Sequence, residues 1–243
     1  MSALLSSVCE AIHPGINDTR MCQFADRTAA ETSEMRLWRE WLLSADVRSI
    51  HAYWNDLPPD PYVATGERLR RYAVARYQDG RMQVLPEEPH VQALVYNQIF
   101  GGVERTLAPI ETSFFDEPTV RYILHEVLTF IPVARRCWRL QFHQFRILAP
   151  GAPTPEGVHR DGAKYVLMVM MRRHRVDGGV TSLYGMKDGE PLAHLLLTQP
   201  GQALLVDDER IRHYVSRIEP RVADGNAAYR DMLIVTFHDD GDD

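Results

Sequence analysis

The segment at residues 155–162 places an imidazole and a carboxylate two positions apart, at His159 and Asp161. In an extended chain, side chains at positions i and i+2 point to the same side, so both groups can reach one point in space. A further imidazole is available downstream at His213. Two histidines and one carboxylate on one side of a metal, with the other positions open, form the ligand set of non-haem Fe(II) oxygenases. The pattern therefore predicts a catalytic metal centre made by His159, Asp161 and His213.

Three protein ligands leave room on the metal for a 2-oxo acid and O2. A 2-oxo diacid also needs a partner for its far carboxylate, and a guanidinium suits this role because it donates two parallel hydrogen bonds. Arg230 opens the apolar last strand, where a buried charge requires a partner, whereas Arg221 lies in a predicted exposed loop. We therefore prefer Arg230 as the anchor. Gln144, on the strand that precedes the metal-binding segment, is a second predicted contact of the cofactor.

The chain has ten histidines, and most of them are not expected to bind a metal. His143 lies on a predicted apolar strand, and we interpret it either as a satisfied core residue or as a neighbour of the metal ligands. The remaining histidines are interpreted as surface or helix residues: His13, His51, His90, His125, His174, His194 and His238.

The second half of the chain has the pattern of an antiparallel β structure. Short apolar segments alternate with turn sequences such as Asp177-Gly178-Gly179 and Pro200-Gly201. Short strands at regular spacing predict a sandwich, barrel or jelly roll rather than parallel βαβ units. The predicted strands are residues 138–148, 163–171, 180–184, 194–198, 202–206, 213–218 and 230–238.

The first half of the chain mixes helices and strands. Apolar side chains in residues 29–47 recur at three- and four-residue steps, which predicts a helix. A second helix is predicted with Asp116 as its N-cap and Pro118 in its first turn. The hydrophobic period changes to that of strands at residues 69–77 and 82–85, and the turn sequence between them indicates a β-hairpin.

These patterns predict a single domain over residues 1–243, because no repeat, linker or low-complexity segment interrupts the chain. We expect a helical and mixed support region at residues 1–135. We expect the jelly-roll core at residues 136–240 to carry the metal site. The fold class is therefore mainly β with flanking helices and a cupin-like core.

The composition limits the class of protein. A formal net charge of −6, with 45% hydrophobic and 25% charged residues, indicates a soluble globular chain without the basic surface that nucleic-acid binding requires. The three cysteines are widely spaced and form no zinc or disulfide pattern, which predicts reduced thiols and a cytoplasmic location. No apolar run approaches the ~20 residues of a membrane span, and the first residues do not have the pattern of a secretory signal.

Several segments of the second half together resemble the bacterial 2OG-Fe dioxygenase family that includes the L-isoleucine 4-hydroxylase. The resemblance is good over residues 140–238 and is looser in the first half, at residues 69–72 and 101–102. It is carried by residues 144–147, 155–162, 178–179, 182–184, 197–200, 206–208, 213 and 229–231.

This resemblance implies a double-stranded β-helix core in which His159, Asp161 and His213 bind Fe(II). It implies 2-oxoglutarate as the cosubstrate, held by Arg230, and O2 as the oxidant. It also implies hydroxylation of a free L-amino acid, with succinate and CO2 as co-products. Val180 departs from the family, which often has an acidic residue there, so the substrate contacts near this position are left open.

Three other functions fit the same residues. The same chemistry could act on an amino acid that is tethered to a carrier protein or is part of a peptide. A cupin-like protein could bind a metal or a small ligand without turnover. A zinc hydrolase could also use two histidines and one carboxylate, but no further carboxylate is placed as its general base.

Overall fold

The structure is a computed structural model, and it describes residues 37–131, 137–187 and 189–240 of the chain. Within these residues the strands are antiparallel and form three sheets. The strands are β1 (Trp38–Leu42), β2 (Arg68–Gln78), β3 (Arg81–Val84), β4 (Cys137–Leu148), β5 (Tyr165–His174), β6 (Val176–Gly178), β7 (Thr181–Gly185), β8 (Ala193–Leu195), β9 (Gln202–Asp207), β10 (Ile211–Val215), β11 (Ile218–Pro220) and β12 (Tyr229–Asp239). The helices are a 3-10 helix (Val47–Trp54), α1 (Thr112–Asp116) and α2 (Pro118–Leu128).

The major sheet has seven strands in the order β1-β9-β5-β12-β4-β2-β3. A minor sheet has the order β10-β7-β8, and β11 pairs with β6. The last strand of the chain, β12, lies in the middle of the major sheet between β4 and β5 and pairs with both over most of its length. Residues at the start of β12 are therefore held rigidly inside the molecule.

The major sheet is covered on both faces, and the alternation along β5 shows this. Val166, Met168 and Met170 pack in one cluster with residues of the minor sheet, including Leu183 and Ile211. The intervening side chains pack in a second cluster with the helices. A strand covered on both faces needs apolar residues at successive positions, which explains why its sequence does not alternate. The intervening residues are Leu167, Val169 and Met171.

The predicted fold class is confirmed: the structure is mainly β, with antiparallel sheets of the jelly-roll type. The part of the first half that the structure describes is more β-rich than predicted, because β1, β2 and β3 all join the major sheet. All described residues belong to one compact unit. The single domain over residues 1–243 stays a prediction.

The predicted helix at residues 29–47 is wrong in its described part. Trp38–Leu42 is a strand that pairs with β9, and the segment then enters the 3-10 helix at Val47. Two tryptophans in this segment suit a strand as well as a helical stripe, and the open edge of β9 supplies the backbone partners that decide between them. The residues before 37 lie outside the described part of the chain.

Two other predicted boundaries also change. Asp116 ends α1 instead of capping the next helix, and Glu117 is the N-cap of α2, without a side-chain capping bond. Pro118 begins α2 as predicted, because its missing N–H costs nothing in the first turn. The predicted strand at 213–218 is divided between β10 and β11, which pair with different strands.

No helix among the described residues is long and apolar enough to cross a membrane. The cytoplasmic location stays a prediction.

Candidate metal centre

The three predicted ligands converge on one point. The ligand atoms of His159, Asp161 and His213 all lie within 4.8 Å of one another. Asp161 Oδ1 is 3.5 Å from Nε2 of His159, and Asp161 Oδ2 is 3.8 Å from Nε2 of His213. Two imidazole nitrogens and one carboxylate at this separation fit a divalent transition-metal ion that keeps open positions. We refer to these three residues as the triad.

The triad is assembled by a loop and a strand, not by two strands. His213 lies in β10, and His159 is joined to it by a single bridge with backbone hydrogen bonds of 3.0 and 2.8 Å. Asp161 follows in the loop that leads into β5. His159 and Asp161 therefore precede β5, and the chain at His159 is paired like a strand, which agrees with the predicted extended geometry of the two ligands.

A buried carboxylate holds the loop that carries Asp161. Asp208 accepts hydrogen bonds from the backbone N–H groups of Asp161, Gly162 and Ala163, at 3.1, 2.8 and 2.9 Å. Gly162 has a φ of +81°, and a Cβ there would lie 2.5 Å from a ring carbon of Tyr96. The turn after Asp161 therefore requires glycine, both for its backbone conformation and for its contact with the ring.

The ring orientation of His159 is also fixed. Nδ1 of His159 lies 3.0 Å from the carbonyl oxygen of Gly157, to which its N–H can donate. This contact favours the tautomer that leaves Nε2 as an acceptor for a metal. Glu156 Oε1 lies 3.4 Å from the same Nε2.

The charges around the triad favour a cation. Burial lowers the pKa of His159, but the carboxylates of Asp161 and Glu156 outweigh burial and raise it to about 9. Burial and the neighbouring His159 lower the pKa of His213 to about 4. Burial acts to raise the pKa of Asp161, yet the two histidines hold it well below its usual value. The site thus keeps an ionised carboxylate and stabilises positive charge beside it, which is the field that a metal ion requires.

Arg230 lies in the same cavity as the triad. The cavity lies between β2, β4 and β12 of the major sheet and the metal-bearing loop, and the triad and Arg230 all line it. Arg230 is only 3% exposed, and its Nε has no hydrogen-bond partner among the described residues. Burial and the nearby Arg173 lower its pKa to about 9, so the guanidinium stays charged at neutral pH. A buried cation with an unused donor fits the far carboxylate of 2-oxoglutarate.

Gln144 does not line this cavity. Along β4 the residues that face the cavity are Gln141, His143, Phe145 and Ile147. Gln144 alternates with them and faces the helix-covered side. Its contact with the cofactor stays a prediction, and the placement of Gln144 on the other face of β4 does not support it.

The structure also brings further residues to the cavity. His90 is buried, with 4% exposure, so its interpretation as a surface residue is wrong. Its ring centroid lies 4.9 Å from that of His143, which also lines the cavity. Three arginines, Arg68, Arg70 and Arg105, line it as well. Arg68 and Arg70 occupy alternate, buried positions of β2, which is a signal that the sequence carries, whereas Arg105 lies outside the strands.

The chain belongs to the 2OG-Fe dioxygenase family, whose model matches residues 51–236. This range includes the triad and Arg230. The family uses Fe(II) and 2-oxoglutarate, so the chain is an Fe(II)- and 2-oxoglutarate-dependent dioxygenase that takes O2 and a small-molecule substrate. Membership of this family therefore excludes the two alternative functions of a metal-binding protein without turnover and a zinc hydrolase. The narrower resemblance to the L-isoleucine 4-hydroxylase stays a prediction.

Solved structures share the fold. A BsmA homologue from Methylobium petroleophilum PM1 is 28% identical, with a TM-score of 0.71 over 79% of this chain and 81% of that one. IDO from Bacillus thuringiensis is 18% identical, with a TM-score of 0.69 over 85% and 92%. The Fe(II)/α-ketoglutarate-dependent dioxygenase TqaL is 16% identical, with a TM-score of 0.61 over 84% and 83%. Curated proteins give no match by sequence.

Proposed function

We propose that this dioxygenase hydroxylates a free L-amino acid, with Fe(II) bound by His159, Asp161 and His213 and 2-oxoglutarate anchored by Arg230. The observation that carries the proposal is a single cavity that contains the triad, a buried arginine with an unused donor, and further groups of both charges. Bound Fe(II), with 2-oxoglutarate and O2, supplies the C–H oxidation that protein side chains lack.

The chain's own task is to hold the ligands in one geometry. The hydrogen bond from His159 to Gly157 fixes one imidazole, and the three bonds to Asp208 fix the loop that carries Asp161. His213 is held by its place in β10. Because the bonds from the loop backbone to Asp208 and the pairing of β10 do not involve the ligand side chains, replacing a ligand is expected to remove metal binding without unfolding the sheet.

Arg230 supplies the charge that a 2-oxo diacid needs away from the metal. It lies opposite Ile147 of β4 and Arg173 of β5, in the centre of the major sheet. Gly179 packs closely against this side chain, since a Cβ added at Gly179 would lie only 3.4 Å from Arg230 Cδ. The side chain is therefore confined, and its guanidinium can grip a carboxylate with little further loss of freedom.

A free amino acid as substrate is supported by the charges of the cavity lining. An α-amino acid presents a carboxylate and an ammonium group, and the lining offers guanidinium groups and the carboxylate of Glu156 to meet them. Oε2 of Glu156 is buried and has no hydrogen-bond partner among the described residues. A buried acceptor without a partner fits an ammonium donor. The resemblance to the family of the L-isoleucine 4-hydroxylase supports the same substrate class.

The test is an aerobic screen of the twenty amino acids with Fe(II) and 2-oxoglutarate, followed by mass spectrometry. We expect at least one amino acid to gain one oxygen, with succinate formed in equal amount. The Asp161→Ala variant and an oxygen-free reaction serve as matched controls. If no free amino acid gains oxygen while a carrier-bound one does, the proposed substrate is wrong.

One observation favours the carrier-tethered or peptide-borne amino acid as the second candidate. The loop that brings Gln92 and Asn97 to the cavity exposes large apolar side chains, with Leu94 64% and Val95 79% exposed. Exposed apolar side chains beside a catalytic cavity are a common feature of protein-docking surfaces. Comparing turnover of the same amino acid in free and tethered form separates the two candidates.

A further inference from the structure

Three buried arginines line the same cavity as the triad. Arg68, Arg70 and Arg105 are 6%, 3% and 2% exposed, and all three line the cavity. Nε of each has no hydrogen-bond partner among the described residues. Burial, together with the charges of Arg105 and Arg68, lowers the pKa of Arg70 to about 9, so the three guanidinium groups are close enough to repel one another. We refer to these three residues as the arginine cluster.

The protein supplies few acceptors to this cluster. Arg70 Nη1 lies 3.6 Å from the buried carboxylate of Asp60, and Arg70 Nη2 lies 2.8 Å from Nδ1 of His143. Arg105 donates to the side-chain oxygen of Gln92 at 2.8 Å. Arg68 donates to a backbone carbonyl, that of Pro153, at 3.2 Å. Among the described residues, Asp60 is the one carboxylate in ion-pair contact with the cluster, and Glu156 acts on Arg105 only at longer range. Two of the three guanidinium groups therefore have no ion pair of their own, which is costly unless an anion binds.

Aromatic rings hold the cluster in place. The guanidinium carbon of Arg70 lies 4.7 Å from the ring centroid of Phe145, and that of Arg68 lies 5.6 Å from the same ring. The guanidinium carbon of Arg105 lies 5.1 Å from the ring centroid of Phe100. Such contacts fix the planes of the guanidinium groups before a ligand arrives, so an anion meets an ordered set of donors.

A negative group lies in the same cavity, near the metal ligands. Glu156 contacts His159 through Oε1, while its buried Oε2 has no partner among the described residues. The lining therefore combines the positive charge of the arginine cluster with an unused carboxylate oxygen beside the triad. A ligand that matches this distribution carries more than one carboxylate and one ammonium group.

We propose that the arginine cluster and Glu156 form a substrate subsite that selects a dicarboxylic L-amino acid. The arginine cluster binds the two carboxylates, which neutralise the two unmatched guanidinium charges, and Glu156 accepts the ammonium group. This inference rests on the proposed function, because it names the class of free amino acid that the dioxygenase hydroxylates. Arg230 stays reserved for 2-oxoglutarate, so the two anions occupy separate arginines.

The experiment is anaerobic calorimetric titration of the Fe(II)- and 2-oxoglutarate-loaded protein, which reports binding without turnover. The ligands are two pairs of nearly equal shape, L-glutamate with L-glutamine and L-aspartate with L-asparagine, and L-isoleucine. We expect the acidic member of at least one pair to bind about tenfold or more tightly than its amide, because only the acid satisfies both positive charges. Equal or tighter binding of the amides or of L-isoleucine overturns the inference.

Variants locate the subsite. Arg105→Gln is expected to reduce the preference for acid over amide by about tenfold or more, because one guanidinium partner is lost. Arg71→Gln is the matched control, because Arg71 lies on the same strand but outside the cavity lining and is expected to keep the preference. Arg68→Gln is a second removal from the cluster, to be used if Arg105→Gln does not fold. An unchanged preference in a folded cluster variant contradicts the subsite.

Failure of this inference is distinct from failure of the proposed function. If a neutral amino acid binds best and gains oxygen in air, the subsite is wrong and the amino acid hydroxylase stands. If the acids bind best but no free amino acid gains oxygen, the subsite stands as a binding site and the proposed reaction is wrong.

Discussion

The two faces of the major sheet treat buried charge differently. On the helix-covered face, Asp231 is fully buried and receives two hydrogen bonds from Arg146, at 2.7 and 2.8 Å, with Arg172 3.8 Å away. On the cavity face, the preceding residue Arg230 is also buried, but its Nε has no partner among the described residues. The adjacent residues Arg230 and Asp231 of β12 thus have different roles. The paired charges stabilise the fold, and the unpaired charge is held for a ligand.

The largest expected effect is loss of the metal. His159→Ala and Asp161→Ala should reduce substrate-dependent succinate formation by about 100-fold or more, because each removes a ligand outright. The melting temperature should change little, since the backbone contacts of the loop remain. His125→Ala, on the exposed face of α2, is the matched control and should keep full activity. Full turnover in either ligand variant would end the assignment of the metal centre.

The second prediction separates the two faces directly. Arg230→Gln should raise KM for 2-oxoglutarate by about 30-fold or more, the equivalent of ~2 kcal/mol for a lost buried charge partner. Asp231→Asn should instead lower the free energy of unfolding by about 3–5 kcal/mol, because the ionised partner of the half-buried Arg146 is lost from a fully buried position. Enzyme kinetics and urea unfolding of both variants measure the two effects. If both variants lose stability and neither changes KM, Arg230 stabilises the fold as Asp231 does and does not bind 2-oxoglutarate.

The sequence could predict which three residues meet at the candidate metal centre, but not which face of its strand Gln144 occupies. The placement of His159 and Asp161 depends on local backbone geometry, and that of His213 depends on one bridge to His159. The structure brings all three together. The face that Gln144 occupies could not be predicted, because it depends on the register of β4 and a shift of one position reverses it. His90 was missed because it lies in an irregular segment whose burial no sequence period reveals.

The fold likewise has parts that local sequence predicts and parts that depend on distant pairing. The second half was predicted well because strands and turns alternate there with clear signals. The segment at residues 38–42 was predicted wrongly as helix because its pairing with β9, more than 150 residues away, does not appear in any local window. Tertiary pairing therefore overrides a helical apolar period when a strand edge is available.

The third prediction concerns pH and the histidines of the cavity face. Burial and the charges of nearby arginines lower the pKa of His90 to about 2 and hold that of His143 well below its usual value. The unfolded chain takes up these protons at about pH 6.5, so it binds more protons than the folded chain below that pH. Stability should therefore fall as the pH falls below about 6.5, by about 1.4 kcal/mol per pH unit for each histidine.

Urea unfolding at pH 7.5 and 5.5 checks this expectation. His143→Gln should reduce the loss of stability on acidification, whereas His125→Gln, with an exposed histidine, should not. An identical pH dependence in wild type and His143→Gln would show that folding does not lower the pKa of this histidine.

The smallest expected effect belongs to Gln144. Because this side chain faces away from the cavity, Gln144→Met should leave KM for 2-oxoglutarate within about threefold of wild type. Both polar atoms of Gln144 are buried and have no hydrogen-bond partner among the described residues, so the apolar replacement should not cost stability. A large rise in KM would show that Gln144 contacts the cofactor and would contradict the alternation along β4.

The most direct test of the metal centre is anaerobic titration of the protein with Fe(II) and 2-oxoglutarate, followed by visible absorption. We expect a weak charge-transfer band in the wild-type protein, no band with zinc, and no band in the His213→Ala variant. A band of equal strength and affinity in His213→Ala, or none in the wild-type protein, would contradict the convergence of the triad on one Fe(II) ion.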